Sequence, residues 1–147
     1  MGNPIKNRKY AEAARAARER PLVLVTDDHE DTRLLFRTLL AMRGYAVVEA
    51  ADGEEAVLLA ETARPDLILL DGSLPRLDGF AAARRIRASG GAGRVPIVLV
   101  TGHAEPSYRA VAGDAGCDEY LVKPLDIEHF GRVLDRYLGR AAGDREA

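Results

Sequence analysis

The run Leu67-Ile68-Leu69-Leu70, followed at once by Asp71, constrains the fold more than any other stretch of this sequence. Four apolar residues bounded by the turn residues Gly72-Ser73-Leu74-Pro75 are typical of a strand that is buried on both faces. Asp71 then lies where this strand ends, and in open parallel sheets ligands bind beyond the carboxyl ends of the strands. Asp before Gly is also common in loops and helix caps. The other strands must therefore decide whether Asp71 is a functional residue at a strand end or only a capping residue.

Four further apolar runs alternate with helical patterns along the chain. The predicted strands are Leu22–Val25, Tyr45–Ala50, Leu67–Leu70, Ile97–Val100 and Tyr120–Val122. The predicted helices are His29–Arg43, Gly53–Ala63, Gly79–Ala88, Pro106–Ala115 and a last helix that follows Asp126. This alternation predicts an α/β fold: a five-stranded parallel sheet with right-handed crossovers and helices on both faces, the flavodoxin-like, doubly wound (βα)5 architecture.

The apolar face of each helix follows from a spacing of three and four residues. In the first helix we assign this face to Leu34, Leu35, Leu39 and Met42. In the last helix we assign it to Ile127, Phe130, Leu134, Tyr137 and Leu138. An aspartate precedes three of the helices at the position where its carboxylate can cap the first free amides: Asp52, Asp78 and Asp126.

Composition narrows the classes of function that are open to the chain. No apolar run approaches the roughly 20 residues that cross a bilayer, so we expect no membrane insertion. The single cysteine, Cys117, excludes an internal disulfide and fits a cytoplasmic location. Residues 1–20 carry a net charge of +4 and the remaining residues about −6, which argues against direct binding of nucleic acid by the folded body.

We divide the chain into three parts. Residues 1–20 are basic and lack an apolar stripe, so we expect a mobile or helical extension there. Residues 21–139 form one folded domain, and residues 140–147 form a short polar tail. Because that tail is too short for a DNA-binding or enzymatic output domain, we expect a stand-alone domain.

Polar side chains follow four of the five predicted strands: Asp27 and Asp28, Asp71, Thr101 and Lys123. Because the carboxyl ends of parallel strands meet at one edge of a sheet, we expect these side chains to converge. Three carboxylates in one crevice repel one another unless a cation intervenes, and Mg²⁺ is the cation that prefers oxygen ligands. The nearby histidines, His29 and His103, lack the sequence spacing of zinc ligands, so we do not expect zinc.

A cation, an ammonium group and a hydroxyl group around one carboxylate suit phosphoryl transfer, which depends on positioning and charge neutralisation. The carboxylate can itself be the nucleophile, and the product is then an aspartyl phosphate.

In their order and spacing, these residues resemble the receiver domains of response regulators in two-component signalling, of the chemotaxis-regulator type. The resemblance covers about residues 21–139. It rests on Asp27-Asp28, Asp71 with Pro75 and Asp78-Gly79 downstream, Thr101, and Tyr120 shortly before Lys123-Pro124. It implies that Asp71 accepts a phosphoryl group from a sensor histidine kinase or a histidine phosphotransfer protein, and that the domain turns over no other substrate.

The resemblance also implies a role for each matching residue. Mg²⁺ would be bound directly by Asp28, by Asp71 and by the backbone carbonyl of Ser73, and mainly through water by Asp27. Lys123, in a cis peptide bond with Pro124, would pair with a phosphoryl oxygen.

Two further roles concern the response to phosphorylation. Thr101 would donate a hydrogen bond to the phosphoryl group, and Tyr120 would be the aromatic switch that turns inward. The surface of the fourth helix, fifth strand and last helix would then change for a downstream protein or a second copy, the domain being a monomer or a phosphorylation-dependent dimer. Ser73 and His103 occupy the positions that are thought to set the rate of dephosphorylation, although His103 is equally well explained as an exposed loop histidine.

The chain departs from the family pattern at three positions: Gly72 after the acceptor, Leu74 where Met is frequent, and Gly102 after Thr101. None of them removes a chemical group. The alternatives are a phosphorelay intermediate or phosphate sink, and a phosphatase of the haloacid dehalogenase type. The phosphatase is disfavoured because Ser73 stands where that family has a second Asp. A nucleotide-binding module is disfavoured because the first strand-to-helix turn is acidic rather than glycine-rich.

Overall fold

The computed structural model describes residues 20–90 and 93–139; the predicted extension and tail lie outside this described part of the chain, apart from Arg20. The strands are β1 (Leu22–Thr26), β2 (Ala46–Ala50), β3 (Leu67–Asp71), β4 (Ile97–Thr101) and β5 (Glu119–Val122). The helices are α1 (Glu30–Met42), α2 (Gly53–Thr62), α3 (Gly79–Ala88), α4 (Pro106–Asp114) and α5 (Ile127–Leu138).

The five strands form one parallel sheet in the order β2-β1-β3-β4-β5. All five residues of β3 are buried, so the prediction of a central strand covered on both faces is confirmed. The strand register aligns the carboxyl ends of neighbouring strands. The paired residues at these ends are Thr26 with Leu70, Asp71 with Val100, and Thr101 with Val122. The residues that follow these ends therefore lie at nearly one level along the same edge.

Two apolar cores form because alternate side chains of each strand point to opposite faces of the sheet. Helices α1 and α5 cover the face that carries Val23 and Leu69, and helices α2, α3 and α4 cover the face that carries Leu24 and Ile68. This arrangement confirms the predicted doubly wound fold. None of the described helices is long and apolar enough to cross a membrane.

The predicted apolar face of α1 is wrong for Leu34, Leu35 and Met42, whereas Leu39 is half-buried against the core as predicted. Phe36 and Leu40 are the buried residues of this helix, whereas 48% of Leu34 and 79% of Met42 are exposed. Both sets of residues have helical spacing, so periodicity could not choose between them. Packing makes the choice: the ring of Phe36 meets the ring of Phe130 on α5 edge-on, with centroids 5.6 Å apart.

The prediction that Ile127 packs inward is also wrong, since this first residue of α5 is 61% exposed. The rest of the predicted face of α5 is buried or half-buried. The three capping aspartates are confirmed. Asp52 accepts from the amide of Glu55, Asp78 from that of Ala81, and Asp126 from those of Glu128 and His129.

Candidate functional site

Asp71 is the last residue of β3, and only 6% of it is exposed. The amide of Ser73 donates a hydrogen bond of 3.1 Å to its Oδ1, which fixes the carboxylate relative to the following loop. The amide of Gly72 donates to the carbonyl of Val100 at 3.1 Å and so extends the pairing of β3 with β4 past Asp71. The sheet therefore holds the backbone at Asp71, and an amide of the following loop orients its carboxylate.

Lys123 lies between two of the carboxylates. Its Nζ is 3.5 Å from Asp27 Oδ2 and 3.8 Å from Asp71 Oδ2. The amide of Lys123 donates to the carbonyl of Thr101 at 2.7 Å, which continues the β4–β5 ladder and positions the ammonium stem. The Lys123–Pro124 peptide bond is cis, as the family resemblance implies.

The acidic residues converge as the sequence predicted, and a histidine joins them. Ligand atoms of Asp27, Asp28, His29 and Asp71 all lie within 4.8 Å of one another. Asp27 is 1% exposed, whereas Asp28 is exposed to solvent, so the group is open on one side. His29 lies within this group in space, although its sequence spacing is not that of a zinc ligand. Its position directly after Asp27-Asp28 was the feature of the sequence that could have placed it here.

The electrostatics of the site favour a bound cation. Burial is the main cause that raises the pKa of Asp71 above its usual value, and the charges of Asp27 and Asp28 raise it further. The amide of Ser73 and the ammonium of Lys123 act in the opposite direction without reversing the shift. Because three carboxylates face one ammonium group, the donor set is mostly oxygen and negatively charged, which fits Mg²⁺.

Thr101 and Tyr120 are linked through the backbone of His103. The amide of His103 donates to Thr101 Oγ1 at 3.2 Å, and the hydroxyl of Tyr120 donates to the His103 carbonyl. Tyr120 is only 8% exposed, so its ring already lies inward in this structure. The guanidinium of Arg109, on α4, lies 4.9 Å from the centroid of this ring.

The two residues predicted to tune dephosphorylation have different surroundings. Ser73 is exposed and takes part in the site through its backbone amide. The imidazole of His103 is stacked on the ring of Tyr108, with centroids 4.3 Å apart and an angle of 11° between the planes. The stack joins the loop after β4 to α4, although His103 itself is exposed, and its effect on dephosphorylation stays a prediction.

The fold is a single-sheet α/β domain. At the carboxyl ends of its strands, the buried Asp71 lies beside Lys123 and within a group of acidic residues that could bind a cation. Comparison with known proteins gives the family. Residues 23–135 match the response regulator receiver domain. The chain belongs to this family.

Curated relatives agree with this assignment. Response regulator MprA of Mycolicibacterium vanbaalenii is 38% identical over 122 residues, which is 83% of this chain and 52% of that protein. A gliding motility regulatory protein of Myxococcus xanthus is 38% identical over 82% of this chain but only 16% of its own length. The chain thus spans about half or less of these relatives, and its stand-alone organisation stays a prediction.

Solved structures are also similar. The receiver domain of the sensor histidine kinase PA1611 of Pseudomonas aeruginosa, with a magnesium ion in its active-site cleft, is 38% identical with a TM-score of 0.76. The match covers 82% of this chain and 98% of that one. The chemotaxis protein CheY4 of Vibrio cholerae is 32% identical, also with a TM-score of 0.76, over 81% of this chain and 99% of its own.

Proposed function

We propose that Asp71 is the phosphoacceptor of this receiver domain and takes its phosphoryl group from a histidine kinase or a histidine phosphotransfer protein. One observation carries this assignment: Asp71 is fixed at the end of the central strand, beside Lys123 and the Asp27-Asp28 pair. A carboxylate oxygen of Asp71 would form the new P–O bond while the N–P bond of the donor phosphohistidine breaks. The donor nitrogen then keeps the bonding electron pair and takes up a proton.

Each neighbour has a role in this transfer. Lys123 would pair with a phosphoryl oxygen, because its Nζ lies within 4 Å of the acceptor carboxylate. Thr101 accepts from the amide of His103, so its own hydroxyl hydrogen remains available to a phosphoryl oxygen. Thr101 ends β4 and Lys123 follows β5, and together the two residues would hold the phosphoryl group in one orientation.

The cation site is part of the same proposal. Mg²⁺ would be held by Asp28, by Asp71 and by the backbone carbonyl of Ser73, with Asp27 acting through water. When bound, Mg²⁺ would offset the negative charge of the carboxylates and of the phosphoryl oxygens. The magnesium ion in the cleft of the related PA1611 receiver supports this assignment.

The output would be a change of the surface formed by α4, β5 and α5, read by a downstream protein or a second copy. Support comes from the chain of contacts that joins Thr101 to Tyr120 and α4 through His103. Since Tyr120 already lies inward, phosphorylation would increase the population of an arrangement that the unmodified protein can reach.

One experiment tests the acceptor and the switch together. The protein is treated with a small phosphodonor and Mg²⁺, its mass is measured intact, and its backbone NMR spectrum is recorded. We expect one added phosphoryl group and coordinated shifts from Thr101 to Tyr120. Asp71→Asn should abolish both changes. Asp78→Asn is the matched control, because Asn also caps a helix and this exposed residue is outside the cluster.

The outcomes separate the alternatives. Labelling of the Asp71→Asn protein would contradict the acceptor assignment. Labelling of Asp71 with shifts confined to the loop after β3 would instead favour a relay or phosphate sink. Repeated release of phosphate from a small ester would indicate a turnover enzyme. We expect only self-phosphorylation and slow loss of the phosphoryl group. A cytoplasmic location belongs to this proposal, since Cys117 is a free thiol.

A further inference from the structure

His29 lies inside the acidic cluster, yet none of the roles described so far uses its side chain. Its Nδ1 is 3.2 Å from Asp27 Oδ1 and 3.0 Å from Asp28 Oδ1. The backbone amide of the same residue donates to Asp27 Oδ1 at 2.8 Å, which fixes His29 relative to that carboxylate. The imidazole is therefore held beside two carboxylates while most of its surface, 72%, faces solvent.

These separations match those between neighbouring ligands on one metal ion. In an octahedral site with bonds of about 2.1 Å, adjacent ligand atoms lie about 3.0 Å apart and opposite ones about 4.2 Å apart. The Nδ1 of His29 is at this adjacent-ligand distance, 3.0 Å, from Oδ1 of Asp28, the direct carboxylate ligand. The ligand atoms of the cluster all lie within 4.8 Å of one another, which exceeds the opposite-ligand distance by about 0.6 Å at most.

Helix capping does not explain the residue. His29 is the N-cap of α1, a position where Asn, Asp, Ser or Thr would accept a hydrogen bond from the first turn. Its side chain makes no such bond, and its contacts are instead Asp27 and Asp28. The ring thus makes its polar contacts at the cation site and none with the helix that it precedes.

We propose that the Nδ1 of His29 is a further ligand of the cation that Asp28, Asp71 and the Ser73 carbonyl bind directly and Asp27 binds through water. It would give this receiver a stronger preference for transition-metal cations over Mg²⁺ than an all-oxygen site has. The physical reason is that imidazole nitrogen suits the later divalent metals, for which affinity rises from Mn²⁺ to Ni²⁺, whereas Mg²⁺ prefers oxygen. This inference rests on the proposed function, which places the cation here.

A second description of the same contacts makes the opposite prediction. If the ring N–H only donates hydrogen bonds to Asp27 and Asp28, the imidazole takes the place of the cation. Removing His29 would then strengthen the binding of every divalent cation alike. If the ring is a ligand, its removal weakens Ni²⁺ binding and leaves Mg²⁺ binding nearly unchanged.

The test measures dissociation constants for Mg²⁺ and Ni²⁺ by calorimetry on the full, tag-free chain. The variants are His29→Ala, His29→Asn, which offers an amide oxygen instead of the nitrogen, and His129→Ala as a control on α5. We expect His29→Ala to weaken Ni²⁺ binding roughly tenfold or more, since loss of groups that merely support a ligand already costs 10- to 100-fold. His29→Asn should keep Mg²⁺ binding and lose the preference for Ni²⁺, and His129→Ala should change neither.

A direct readout of ligation uses Mn²⁺ as a spectroscopic probe. Electron spin-echo spectra of the bound ion should show modulation from an imidazole ¹⁴N in the wild type and in His129→Ala, and none in His29→Ala. Persistence of this modulation in His29→Ala would overturn the proposal. A Ni²⁺ to Mg²⁺ affinity ratio that is the same in the wild type and in His29→Ala would also overturn it.

Asp28→Asn separates this proposal from the proposed function. Mg²⁺ affinity should fall sharply in this variant, because the ion loses a direct charged ligand. If Asp28→Asn weakens Mg²⁺ binding but the affinity ratio is insensitive to His29, only the role of His29 is wrong. If Mg²⁺ affinity is equal in the wild type and in Asp28→Asn, the cation site of the proposed function is itself wrong.

Discussion

The charge of Asp71 is required for its proposed function but lowers the stability of the folded protein. Burial and two neighbouring carboxylates raise its pKa, so the folded protein holds the ionised form of Asp71 less favourably than the unfolded chain does. The stabilising contribution of Asp71 is therefore fully present at pH values below its ordinary pKa of 3.8. This contribution is lost as the pH rises through the higher pKa that Asp71 has in the folded protein. At neutral pH without metal, Asp71 lowers the free energy of unfolding.

We predict that Asp71→Asn raises the melting temperature of the metal-free protein at neutral pH. Asn has a similar shape and can still accept the hydrogen bond from Ser73, but it carries no charge. The gap between the variant and the wild type should shrink as the pH falls toward the ordinary range of Asp. Thermal unfolding in the presence of a chelator, followed by circular dichroism across pH, checks both statements.

Added Mg²⁺ provides the control for this prediction. A cation that binds only the folded state stabilises it by mass action, and Mg²⁺ should do so more for the wild type than for Asp71→Asn. A variant that is less stable than the wild type at neutral pH without metal would contradict the charge argument.

At the scale of elements, the loop from β3 to α3 is packed against the acceptor strand. A Cβ atom at Gly79 would lie 2.5 Å from the carbonyl oxygen of Asp71 and 3.0 Å from the Cα of Gly72. Both contacts are with backbone, so a larger residue would have to displace the start of α3 or the end of β3. The amide of Gly79 also donates to the carbonyl of Gly72 at 3.4 Å, which joins the two ends of the loop.

We predict that Gly79→Ala destabilises the domain by about 1–3 kcal/mol, the usual range for overpacking. The loss should appear although Ala is the better helix former, because the contact with the Asp71 carbonyl outweighs the gain in propensity. Urea unfolding measures the loss. The yield of phosphorylation by a small phosphodonor should fall as well, since Asp71 would move.

Gly102→Ala is the matched control for that substitution. A Cβ atom at Gly102 would meet nothing within 4 Å, and this loop also adjoins the site, next to Thr101. We expect this variant to be stabilised by about 0.4–1 kcal/mol, because Ala restricts the unfolded chain more than Gly does. Equal effects of the two substitutions would show that close packing at Gly79 is not the cause.

At the scale of the whole molecule, one sheet joins the two apolar cores, and β1 already begins at Leu22, which is fully buried. Five strands of the sheet lie within the described residues. The basic segment 1–20 offers no apolar stripe in its sequence, which is the usual means by which a helix docks on a core.

We predict that deletion of residues 1–20 leaves the melting temperature nearly unchanged. Their net charge would act instead on association with an acidic partner, and this effect should weaken as salt is added. Differential scanning calorimetry of the full-length and truncated chains, at low and at high salt, measures the melting temperatures. A large fall in the melting temperature would show that the segment packs on the domain.

The sequence alone determined the order of the elements and the residues at the strand ends. The three central strands β1, β3 and β4 are buried along their whole length and are nearly continuous apolar runs, so the sequence predicted them directly. Each polar residue at the end of such a run then had to lie at the carboxyl edge of the sheet. Capping depends on local geometry over three residues, which is why Asp52, Asp78 and Asp126 were predictable. The convergence of Asp27, Asp71 and Lys123 followed from topology.

Tertiary structure decided which side chains of α1 are buried and where the ring of His29 points. In both cases the local sequence allowed more than one arrangement. The face of α1 that is buried depends on how this helix lies against α5, and the sequence offered Phe36 and Leu40 as well as Leu34 and Met42. His29 joins the cation cluster because the turn after β1 directs its ring toward the carboxylates rather than toward α1. Such choices depend on distances between side chains from different elements, and linear spacing contains no information about those distances.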